Sequence, residues 1–296
     1  MCIDQLVSSQ PGLVPQSSGH LTASWIWAYN IFLDVCTGYG YSFMMRSTSL
    51  DQTITAKCAF ESEMAKHNAQ VKACRADNGR FANLGFKLEV GKCNQKITYC
   101  GVGAHGQNGI VERHVGKVTI RGRIMLLQAK RFWPKAITHM LWPFAASEAM
   151  QLENTVTVNG EGRTPLQKLT GSDLPIYLRD QHTWGCPVHV LESKVQTSSK
   201  GLPKWEPRAR IGVYLGRSPA HVGNVALVLN PSSGHVSPQF HVVFDDDFRL
   251  IPALRSNAVP PNWADLVTKS SEATSSPDID STKIWFQQHY DSPHDP

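Results

Sequence analysis

The sequence predicts a mixed α/β domain followed by a small all-β module. Residues 24–160 alternate strand-like runs, rich in aromatic and branched residues, with segments of helical period. Residues 183–250 hold only strand-like runs, parted by Gly, Pro, Ser and Asn. Residues 1–23 are polar and turn-rich and read as an extended leader. Residues 161–182 read as a linker, and the Ser/Pro/Asp-rich residues 251–296 as a disordered tail.

The elements follow in order. Trp25 to Leu33 has the composition of a buried strand, ends at Asp34, and turns through Gly38 and Gly40 into a returning strand, YSFMMR. Ser49 and Gln52 form a capping-box pair ahead of a helix over 50–67, with Leu50, Ile54, Phe60 and Met64 on one face. Gln70–Ala76 reads as a strand closed by the turn residues Asp77-Asn78-Gly79. A short helix over 80–90 and a short strand over 96–100 come next. The glycine-rich GVGAHG then opens a basic helix with Val111, Val115, Val118, Met125 and Ala129 on its apolar face. Gly116 and Gly122 weaken that helix by about 1 kcal/mol each relative to Ala. A further helix is expected from Trp133-Pro134 to Asn154, kinked or divided at Pro143. TWGCPVHVLE, RIGVYLG, NVALVLN and HVSPQFHVVF supply the strands of the second module.

Composition bounds the function. With 41% hydrophobic and 18% charged residues among 296, the chain is globular rather than disordered. No apolar run approaches the ~20 residues of a membrane span. The start, MCIDQLVSSQPG, lacks the basic and apolar regions of a secretory signal, so the chain reads as soluble and intracellular. A net charge of +5 admits nucleic acid as a partner without requiring it. The seven scattered cysteines contain no CxxC and read as reduced thiols, which argues against structural zinc.

Three carboxylates carry the sharpest chemistry: Asp34 at a strand end, Asp77 just past a second strand, and Glu112 in the first turns of the basic helix. Converging carboxylates repel one another unless a cation neutralises them. Oxygen donors favour Mg²⁺ or Mn²⁺, and two such ions support phosphoryl transfer. Spacing alone leaves open whether these are metal ligands or ordinary capping acids. Gly101 to Gly106 matches GxGxxG, but no acid follows at the ribose-binding distance, so a mobile loop beside a site explains the glycines better than a dinucleotide. Trp205 with Lys204, Arg208 and Arg210 is a basic-aromatic cluster, either a phosphate-backbone contact or a solvated strand edge.

The chain resembles the integrase region of copia-type retrotransposon polyproteins over roughly residues 3–250. The resemblance runs through IDQLVSSQPG, IFLD, ADNGRF, HGQNGIVERH, LWPFA, GCPVHVL, KWEPRARIGVYLGRSP and VALVLNPSSGHVSPQFHVVFDDDF, in that order. It implies an RNase H-like core, a mixed five-stranded sheet flanked by helices, and then a small β-barrel of the Src-homology-3 type. It implies Asp34, Asp77 and Glu112 as catalytic metal ligands for two Mg²⁺ or Mn²⁺ ions. The implied activity is processing of element DNA ends and their transfer into target DNA. Gln107, Asn108, Arg113, Lys117, Arg121 and Lys130 are then the candidates for contact with double-stranded DNA, in a homo-oligomer working in the nucleus. The chain departs from the family at Val35-Cys36-Thr37, where a polar run is usual, and at the two helix glycines. It carries no zinc-binding, protease or reverse transcriptase segment, and so reads as a fragment of a longer element or a relic. The alternatives are a catalytically dead nucleic-acid-binding remnant and an RNase H-like nuclease.

Overall fold

The computed structural model describes residues 1–15, 24–101, 105–158, 160–172, 181–192, 205, 207–221 and 224–251. The expected tail therefore lies outside the described residues beyond Ile251, as do Lys204 and residues 102–104 of the glycine loop. The chain divides into two compact units. The first comprises Met1–Gly12, Trp25–Gly122 and Ala149–Ile176, and the second Leu13–Ser24, Arg123–Glu148 and Tyr177–Pro296.

The first unit is built on a mixed five-stranded sheet. Its strands are β1 (Cys2–Gly12), β2 (Ile26–Leu33), β3 (Gly40–Met45), β4 (Ala73–Ala76) and β5 (Lys96–Tyr99), in the order β3-β2-β1-β4-β5. β1 runs antiparallel to β2 and parallel to β4, and β4 is parallel to β5. This corrects the first expectation: Cys2–Gly12 is the central strand of the sheet, not a leader. Its polar residues hide it. Asp4, Gln5, Ser8, Ser9 and Gln10 are poor strand formers, and pairing along both edges overrides that weakness.

Strand register sorts the side chains onto two faces. Ile3 and Gln5 stand with Phe32 and Asn30 of β2 on one face. Helix α1 (Leu50–Lys66) covers that face, its Phe60 stacking on Phe32 with centroids 5.1 Å apart. Ser49 caps α1 by accepting the Gln52 N–H, but Gln52 reaches back to the Arg46 N–H (2.8 Å) rather than completing the box. Helix α2 (Leu84–Lys92) follows a 3-10 turn at Arg80–Ala82. Cys2, Asp4 and Leu6 stand with Leu33, Ile31 and Tyr29 on the other face. There the buried Tyr29 hydroxyl meets Thr119 Oγ1 at 3.0 Å. Thr119 belongs to α3 (Gly109–Phe132), which is continuous through both of its glycines and buries Val111, Val118 and Ala129.

The expected segment is divided at Pro143: helix α4 (Trp142–Thr155) begins there, and the stretch from Trp133 to Leu141 is turns and a 3-10 helix rather than α-helix. Pro143 stands in its first turn, where a missing N–H costs nothing, so it starts the helix rather than kinking it. The buried Asn154 amide pairs with both main-chain groups of Gly40, at 2.8 and 2.7 Å, covering the start of β3. The stretch read as a linker contains α5 (Pro165–Thr170), with a complete capping box between Thr164 and Gln167.

The second unit holds an all-antiparallel sheet of β6 (Pro187–Leu191), β7 (Ala209–Arg217), β8 (Ala226–Leu229), β9 (Val236–Gln239) and β10 (Val242–Phe244), in the order β10-β6-β7-β8-β9. The four expected runs give five strands because HVSPQFHVVF divides into β9 and β10; the sheet is open, and no ladder joins β9 to β10 among the described residues. It is nevertheless curled. Gln239 and Val242 are three residues apart, a reach of about 11 Å. The edges of a flat five-stranded sheet would lie about 19 Å apart.

At β7 a register shift between Tyr214 and Arg217 contains Gly216, with φ of 110°. A Cβ there would lie 2.8 Å from Oε2 of Glu148, a buried carboxylate of α4 in the same unit. Burial pushes the Glu148 carboxyl up to about 7, against the opposing charge and main-chain N–H of Arg217.

Two predictions follow from these elements. A Cβ at Gly116 would meet nothing within 4 Å. Gly116→Ala is therefore expected to stabilise the protein by about 1 kcal/mol in denaturant unfolding; a loss of stability would contradict the open surroundings. Glu148 binds its proton more tightly folded than unfolded. Its contribution is fully present below its ordinary value of 4.5 and is lost as pH rises through about 7. Glu148→Gln should gain on the wild type by up to roughly 3 kcal/mol between pH 4 and pH 8, read from unfolding curves at both values.

Candidate carboxylate site

The β1–β4 register builds the site. Cys2 pairs with Arg75 in parallel, so two residues on, Asp4 stands level with Asp77 just past the end of β4. Asp77 opens the turn after β4, its carboxylate packed against Gly79, where a Cβ would lie 2.9 Å from Oδ2. Asn78 anchors this turn through Nδ2 to the Cys100 carbonyl. Glu112 is exposed in the first turn of α3, on the sheet face that bears Asp4.

Electrostatics joins the three. The Asp4 carboxyl is raised from its ordinary value, first by burial and then by the negative charges of Asp77 and Glu112. The Gln5 N–H, donated to Asp4 Oδ1 at 2.8 Å, opposes that shift. The Cys100 thiol is also raised, chiefly by burial and further by Asp77 and Glu112. Two separate groups thus feel the same pair of acids.

Asp34 does not join them. Leu33 pairs with Cys2, so Asp34 stands beyond the start of β1, roughly 10 Å along the sheet from the level of Asp4 and two strands from β4. Its Oδ2 accepts the Thr37 N–H at 2.9 Å and the Thr37 hydroxyl at 2.6 Å. It is the capping acid of the turn into β3. Of the expected set, Asp34 therefore stands apart, and the acids linked by charge are Asp4, Asp77 and Glu112. The signal for Asp4 was an acid directly after Cys2-Ile3, and the polar run behind it masked the strand.

The candidate DNA contacts divide as well. Arg113 and Lys117 are exposed on the first unit and make no ion pair or hydrogen bond among the described residues; Lys130 is likewise exposed on the second. Arg121 instead pairs with Glu153 at 2.9 Å, whose side chain is only 7% exposed, and lies 3.3 Å from Thr157 Oγ1. Gln107 Oε1 accepts the Gly101 N–H at 2.8 Å. Asn108 is 2% exposed and donates through Nδ2 to the Ile3 carbonyl at 3.2 Å, so it faces inward and not toward a ligand on the surface. In the basic-aromatic cluster Trp205 is 96% exposed, and Arg210 is half-buried.

A cation fits the chemistry of the three acids: they offer only oxygen donors, and their mutual repulsion is what a positive ion relieves. Among the described residues, however, no three His, Cys, Asp or Glu side chains are grouped closely enough to hold one metal ion.

A scan against protein-family models finds no match, and a search of curated proteins finds none either. Among solved structures, the chain is similar to one from the simian T-cell lymphotropic virus intasome in complex with the PP2A regulatory subunit B56 gamma. Identity is 13%, coverage 82% of this chain and 77% of that one, and the TM-score 0.43. It is similar to the HTLV-2 integrase catalytic core domain in complex with magnesium, in its trimeric form, at 16% identity, 56% and 93% coverage and a TM-score of 0.37. It is also similar to the catalytic core domain of BIV integrase, at 14% identity, 58% and 93% coverage and a TM-score of 0.39.

The two acids should separate in stability measurements. Asp4→Asn removes a carboxyl held above its ordinary value, whose contribution is lost as pH rises. It is expected to be more stable than the wild type at pH 7 and to lose that advantage near pH 3. Asp34→Ala removes two hydrogen bonds and should cost about 1 kcal/mol at pH 7. Equal behaviour of the two variants would refute the assignment.

Proposed function

We propose that this chain is the catalytic part of a copia-type retrotransposon integrase, a divalent-metal-dependent polynucleotidyl transferase, with Asp4, Asp77 and Glu112 as the metal ligands. The observation that carries this reading is the level placement of Asp4 and Asp77 by parallel pairing, with the Glu112 charge felt at Asp4. The sheet order, with an RNase H-like mix of antiparallel and parallel neighbours, is in keeping with it. So is the curled five-stranded module, which we read as a barrel of the Src-homology-3 type that stops short of closure.

Asp4, Asp77 and Glu112 would hold Mg²⁺ or Mn²⁺, which when bound activates an attacking oxygen and stabilises a leaving oxygen at phosphorus. A bound cation would offset both the burial and the neighbouring negative charges that raise Asp4. Arg113 and Lys117, exposed on the same helix as Glu112 and unpaired among the described residues, would neutralise DNA phosphates beside the site. Arg121 is committed to Glu153 and would steady α3 on α4 within the first unit. Homo-oligomerisation on two DNA ends, and action in the nucleus, belong to the same proposal.

A second reading is a nucleic-acid-binding remnant. One observation favours it: the acids are not grouped for a single ion among the described residues.

Strand transfer with a labelled DNA end in Mn²⁺ separates the two. The first reading expects transfer by the wild type and by Asp34→Asn, and none by Asp4→Asn or Glu112→Gln. DNA binding that weakens steeply with salt, without cleavage or transfer, would support the remnant.

A further inference from the structure

Asn108 stands directly before α3 and four residues before Glu112, about one helical turn. It is 2% exposed. Its Nδ2 donates to the Ile3 carbonyl at 3.2 Å, and its buried Oδ1 has no hydrogen-bond partner among the described residues. That carbonyl belongs to the peptide group whose nitrogen is Asp4's. One amide therefore joins the start of the Glu112 helix to the peptide that carries Asp4.

We infer that Asn108 is the positioning residue of the carboxylate site, holding Glu112 and Asp4 in fixed relation through the Ile3 carbonyl. The inference rests on the reading of Asp4, Asp77 and Glu112 as a divalent-cation site. Burial alone would be served by an apolar side chain, which leaves no orphan oxygen. An amide at this position supplies a directional tie that packing does not. The Tyr29–Thr119 contact also ties α3 to the sheet, but it lies seven residues past Glu112, about two turns away, and does not set the first turn. The adjoining Gln107 accepts from the Gly101 N–H, and this bond reaches neither Asp4 nor β1.

The test is Mn²⁺ binding by the full chain, followed by electron paramagnetic resonance, beside melting of the same samples in EDTA. Asn108→Leu keeps comparable volume without the donor, and Asn108→Gln keeps the amide. Asn108→Leu is expected to melt in EDTA close to the wild type while binding Mn²⁺ about 10- to 100-fold more weakly. Asn108→Gln should recover part of that loss. Glu112→Gln reports on the site itself. If it binds Mn²⁺ like the wild type, the cation site is misassigned and this inference falls with it. If Glu112→Gln fails to bind and Asn108→Leu binds normally, the site stands and Asn108 does not position it. Loss of the folded state in EDTA by both Asn108 variants would make the residue a structural clamp and overturn the inference.

Discussion

The first unit depends on one pairing, the parallel register that sets Cys2 against Arg75. It makes the beginning of the chain the middle of the sheet. It also decides which way Asp4 faces, because side chains alternate along a strand. A slip of one residue would turn Asp4 to the α1 face, among Phe32, Phe60 and their neighbours. A charge there would be desolvated without a partner. The apolar residues of β1 thus enforce the position of its acid.

The same register concentrates negative charge. Burial raises the cost of ionising Asp4, and the charges of Asp77 and Glu112 add to it. Folding tolerates this through local ties: Gln5 N–H on Asp4, Asn78 on the Cys100 carbonyl, and Asn108 on the Ile3 carbonyl. Helix α3 is held further along by Thr119 against Tyr29 and by Arg121 against Glu153. These anchors explain why a helix with two interior glycines remains continuous from Gly109 to Phe132. Helical propensity is a weak preference, and packing of an apolar face outweighs it. In the second unit a different buried acid, Glu148, fits against a glycine bulge in β7.

Much of this was legible in the sequence, because periodicity reports local structure well. The α1 cap at Ser49, the turn at Asp77-Asn78-Gly79, the basic helix bearing Glu112 and the run of late strands all stand where composition and period place them. Other features misled for physical reasons. Asp34 ends an apolar strand as a metal ligand might, yet its carboxylate is consumed by Thr37. Arg121 and Asn108 sit among polar neighbours in sequence, but the helix turns them toward Glu153 and Ile3. The α5 capping box, Thr164-Pro165 with Gln167, was readable and was hidden by the mixed composition around it.

The sequence by itself determined the residue types and their local geometry: strands, helices, turns, the carboxylates Asp77 and Glu112, and the basic residues beside them. Tertiary structure alone decided which acid stands level with Asp77. Asp4 and Asp77 are 73 positions apart in sequence, and only hydrogen bonding between β1 and β4 makes them neighbours. It likewise decided that the late strands form a curled, open sheet, since closure depends on whether β9 and β10 pair. Periodicity records what each residue does to the next few; it holds no record of strand register across a sheet.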